Sequence, residues 1–64
     1  MYFVNEIQND TLTPYSFDDK TTAFEKFFQI AAFIPKSILT IHTVTLQNET
    51  GENQFPPITK AIVD

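Results

Sequence analysis

The chain has no cysteine, no arginine and no tryptophan, and only one glycine and one histidine among its 64 residues. Each scarcity excludes something. Without cysteine there is no disulfide and no thiolate metal site. A lone histidine with scattered carboxylates is a poor ligand set, so neither metal nor cofactor is expected. One glycine rules out a glycine-rich phosphate loop. Positive charge is scarce too. Lys20, Lys26, Lys36 and Lys60 are dispersed and stand against eight acids, for a net charge of -4. Nucleic-acid binding needs basic side chains on phosphates and arginine on guanine edges, which argues against direct nucleic-acid binding. The acids are themselves spread out, with Asp18-Asp19 the only adjacent pair. That is too sparse for a nucleic-acid mimic.

Long apolar runs are missing as well. The longest near-apolar stretch, Ile30 to Ile34, is far too short to span a bilayer. Met1 leads directly into a strand-like run, not into a basic segment followed by an apolar one. The expectation is therefore no signal peptide, no membrane contact and a cytoplasmic location. The absence of arginine, beside abundant Asn, Ile, Phe and Thr, is what AT-rich coding gives and points to a low-GC bacterium or one of its phages.

What the chain has is aromatic surface. Seven phenylalanines are present, four of them in one predicted helix: Phe24, Phe27, Phe28 and Phe33. Residues 1–64 are read as a single domain. A domain this short buries only about 60% of its unfolded surface. With disulfides and metals excluded, good packing or self-association must supply the rest.

The predicted order is β-β-α-β-β. Tyr2 to Gln8 alternates as a strand, with Phe3 and Ile7 expected to face the core and Val4 and Tyr2 partly covered. Asn9-Asp10 is a turn signal. Thr11 to Phe17 is a second strand, placed at a sheet edge because Pro14 has no N–H to donate. Asp18 is the expected N-cap, with Asp19 in the first turn and Phe17 as a hydrophobic staple. A helix follows from about Asp19 to Phe33, ended by Pro35. Ser37 to Gln47 is dense in β-branched residues and reads as the strongest strand. A bulge near His42 or coverage of both faces is needed to reconcile Leu39 and Ile41 with Val44 and Leu46. A turn at residues 48–53, with Gly51 free to take positive φ, leads to a last strand from Ile58 to Val63. These elements make an α+β fold, a small two-layer sandwich of antiparallel sheet with one helix across one face.

On a helical wheel Phe24, Phe27, Phe28, Ala31 and Ile34 form the stripe, flanked by Ala23 and Ile30 on one side and Ala32 on the other. This is roughly twice the usual core-facing width of about 100°. The excess points to a second contact surface. Phe33 falls near the wet face and is expected to be exposed unless a partner covers it. Phe33, Phe24, Ile30 and Ile34 are the candidate interface residues, toward a protein partner or a second copy.

Little supports catalysis. His42 reads as a strand side chain facing solvent or bonded to a threonine. A catalytic role would require the sheet to bring Glu6 or Tyr2 to it. Asp18-Asp19 is explained by capping, and Asn48-Glu49-Thr50, although it matches a glycosylation sequon, reads as a turn. The expectation is a non-catalytic, acidic protein-binding module, with a homodimer through the wide helix face or an edge strand as the alternative.

Overall fold

A computed structural model describes residues 1–61. The elements are β1 (Tyr2–Gln8), β2 (Thr11–Phe17), α1 (Lys20–Phe33), a 3-10 turn (Ile34–Lys36), β3 (Ile41–Asn48) and β4 (Ile58–Ala61). The strands form one antiparallel sheet in the order β2-β1-β3-β4, with the helix packed across one face. This is the two-layer α+β sandwich and the β-β-α-β-β order that the sequence leads one to expect. Residues 62 and 63 of the expected last strand lie outside the described residues.

The β1–β2 hairpin turns on Asn9 and Asp10, with Gln8 paired to Thr11. Asn9 adopts φ 54°, a left-handed conformation that asparagine tolerates better than most residues. Its N–H donates to the Ile41 carbonyl at 2.7 Å and its side-chain oxygen accepts from the Ile41 N–H at 3.0 Å. The hairpin tip thereby fixes where β3 begins. At the far end of β3, the Asn48 side-chain oxygen accepts from the Thr50 N–H, the Thr50 hydroxyl and the Glu52 N–H, and Gly51 supplies φ 82°. The sequon-like triplet is thus a side-chain-organised turn.

The helix starts one residue later than expected. Asp19, not Asp18, is the N-cap, accepting from the Thr22 N–H at 2.9 Å and from its hydroxyl at 2.7 Å. Two acids in a row offer two registers, with a threonine three residues after each, and the pairing formed is that of Asp19 with Thr22. Phe17 then lies two residues before the cap, outside the staple position. The hydrogen bond from the Thr22 N–H, seconded by its hydroxyl, holds the Asp19 carboxyl below its ordinary pKa of 3.8.

The core joins Ala23, Phe27, Ile30 and Ile34 of the helix layer to Val4, Val44 and Leu46 of the sheet. The centre of the helical stripe is therefore the Ala23–Ile30 flank. The other flank is completed from within the chain. Phe55, in the connection between β3 and β4, stands against Phe24, Phe27 and Phe28 with ring centroids 5.2 to 6.4 Å apart.

Three further expectations are corrected. Val4 and Glu6, not Phe3 and Ile7, face the helix. The register sets the parity, because Tyr2, Val4 and Glu6 lie beside Phe17, Tyr15 and Thr13 of β2 and Asn48, Leu46 and Val44 of β3. Residues 37–40 are not strand, so Leu39 need not share a face with anything and no bulge is needed. The partner strand stops at Gln8, which pairs with His42, and Ile38 stands 96% exposed. His42 faces neither solvent nor a threonine but is buried beneath the helix. No helix among the described residues is long and apolar enough to cross a membrane.

Candidate functional site

Among the described residues two polar side chains are buried on the helix side of the sheet, Glu6 on β1 and His42 on β3. Strand register brings them together across 36 residues of sequence. Gln8 is opposite His42 and Glu6 opposite Val44, so Glu6 and His42 are diagonal neighbours on one face. The His42 Nε2–H donates to Glu6 Oε2 at 2.6 Å, and the Gln8 side-chain amide donates to the same oxygen at 3.0 Å. Glu6 Oε1 accepts no hydrogen bond among the described residues. Nor does His42 Nδ1, a buried atom, find a partner among them.

This pair forms the floor of a cleft of about 300 Å³ between the helix and the sheet. Ile30 and Phe33 supply the apolar wall, and Gln8, Lys26 and Gln29 the rim. The ammonium of Lys26 lies over the Tyr15 ring, 4.5 Å from its centroid, so the rim cation is occupied within the chain. The cleft is at the small end for ligand pockets, large enough for one side chain rather than a cofactor. No cluster of three or more His, Asp or Glu suited to a metal occurs among the described residues.

The four candidate interface residues separate. Phe33 is 64% exposed and lines the cleft mouth. Phe24 is half-buried and stacks with Phe28 at 5.8 Å. Ile30 and Ile34 are buried in the core, because the stripe centre lies on their side of the helix, and they have little surface left for a partner. Phe28, at 46% exposure, retains more free area than Phe24. Glu6 is one of the two residues that the sequence names as able to reach His42 through the sheet, and the β1–β3 register does bring it there; the burial of the pair is what the sequence did not show.

No protein-family model, curated protein or solved structure matches the chain.

Proposed function

We propose that this protein is a non-catalytic, acidic protein-binding module. It engages a partner protein at the cleft beside Phe33, in the manner of a small modulator encoded by a low-GC bacterium or its phage. The observation that carries this reading is the exposure of a large aromatic ring at the rim of a cleft with a carboxylate floor. Exposed aromatics of this kind serve as anchors in protein interfaces. Glu6 Oε1 gives the cleft a free acceptor for a donor carried by the partner, and the net charge of -4 favours a basic one. Against catalysis stands the sealed Nδ1 of His42. A general base needs its second nitrogen within reach of a nucleophile or substrate.

The test is a photoreactive benzoylphenylalanine at position 33, with the same group at exposed Asn53 as control. Irradiation of cells expressing the protein is expected to yield a discrete heterologous adduct from position 33 alone. Equal background from both positions overturns the proposal. An adduct of two copies through position 33 supports the alternative, pairing of two chains by the helix face, for which the joint exposure of Phe28 and Phe33 speaks.

A further inference from the structure

We infer that the helix-free face of the sheet docks against the same face of a second copy of this chain. The face carries no charged side chain at any described position. By strand alternation it presents Phe3, Ile7, Leu12 and Ile41, with threonines and other uncharged residues between them. Leu12 is 58% and Ile41 43% exposed. The open face of an antiparallel sheet is ordinarily the polar one, and charges there guard against association. In this chain every described charge lies on the helix, on the helix side of the sheet or in the connections. Polar groups on the face are also partly satisfied within its own plane, since the Thr43 hydroxyl donates to that of Thr59 at 3.2 Å.

Charge and geometry identify the occupant. Two copies with a net charge of -4 repel each other on approach, except where no acid is presented. The uncharged face is that place, and it offers nothing to a foreign partner recognised by charge. Association edge to edge is blunted at β2, where Pro14 has no N–H to donate. Two twisted sheets stacked about a two-fold axis cross at about -30° and lie about 10 Å apart. The described strand residues, each occupying about 3.3 by 4.8 Å of sheet, cover about 400 Å² per copy. That is the low end for a specific interface, so the dimer dissociates on dilution, at concentrations on the order of 100 μM.

Sedimentation equilibrium from about 5 to about 500 μM tests this. The mass of the unaltered chain is expected to rise from 7.3 kDa toward twice that value. Leu12→Lys and Thr45→Lys, each with an unchanged circular dichroism spectrum, are expected to remain at 7.3 kDa throughout. Phe33→Ser is expected to associate like the unaltered chain. A unaltered chain that stays monomeric, or association that survives both lysine changes, overturns the inference. So does association abolished by Phe33→Ser alone. If a lysine variant does not fold, the unaltered chain decides the matter by NMR. The methyl signals of Ile7, Leu12 and Ile41 must shift with concentration, and invariant signals refute the interface. The inference does not rest on the Phe33 cleft, and a failed crosslink there leaves it standing.

Discussion

Glu6 and His42 show what a buried polar pair does to a small core. Each is expensive to bury alone, and a short hydrogen bond between His42 Nε2 and Glu6 Oε2 offsets part of that cost. Removing one partner strands the other, a loss of about 3–5 kcal/mol for a buried pair. Replacing both with apolar residues removes the desolvation cost along with the bond. Denaturant titration of Glu6→Leu, His42→Leu and the double variant should therefore find each single change severe and the double change milder than either. A double variant destabilised by the sum of the singles would show that the two residues act independently. The same pair explains why the faces of β1 are hard to read from sequence. Glu6 marks its face as wet, while Phe3 and Ile7 mark theirs as dry. The histidine that makes Glu6 tolerable inside is far away along the chain and close only in the folded sheet.

At the scale of the element, the helix is the most legible part of the chain. Its length, its stop before Pro35 and the exposure of Phe33 all follow from local pattern, because capping and the wheel depend on neighbours a few residues apart. The surplus aromatic stripe is different. Its partial cover is Phe55, which stands beside Pro56-Pro57 in an irregular connection that periodicity does not describe. Residues 37–40 fail for a related reason. Their composition suits a strand, but the neighbouring strand has already turned at Asn9. The cap offers a test of its own. The folded-state pKa of Asp19 is depressed, so its share of stability is present above the ordinary value of 3.8 and is lost as the pH falls below it. Asp19→Ala should lower Tm by roughly 4–8 °C near neutral pH. The difference from the unaltered chain should shrink as the pH drops below 3.8. A pH-independent difference would mean that the carboxylate charge is not what caps the helix.

For the whole molecule, β1 and β3 are the keystone. Each is flanked by a strand on both sides, and together they carry Val4, Val44 and Leu46 into the core. Native-state hydrogen exchange should find the slowest amides in these two strands and faster exchange in β4, which stands at the sheet edge beside β3 alone. Uniform protection across all four strands would contradict that hierarchy. The central pairing also joins the most distant parts of the chain. During synthesis β1 and β2 can close their hairpin at once, but the inner edge of β1 must wait for β3. Roughly thirty residues separate the two, which at about 5–20 residues per second is a delay of about 2–6 s. Pro14 guards the outer edge of the hairpin during that interval, while the edge that will become the centre of the sheet has no such guard. The nascent protein is thus most open to mispairing at the very strand that later becomes its best protected.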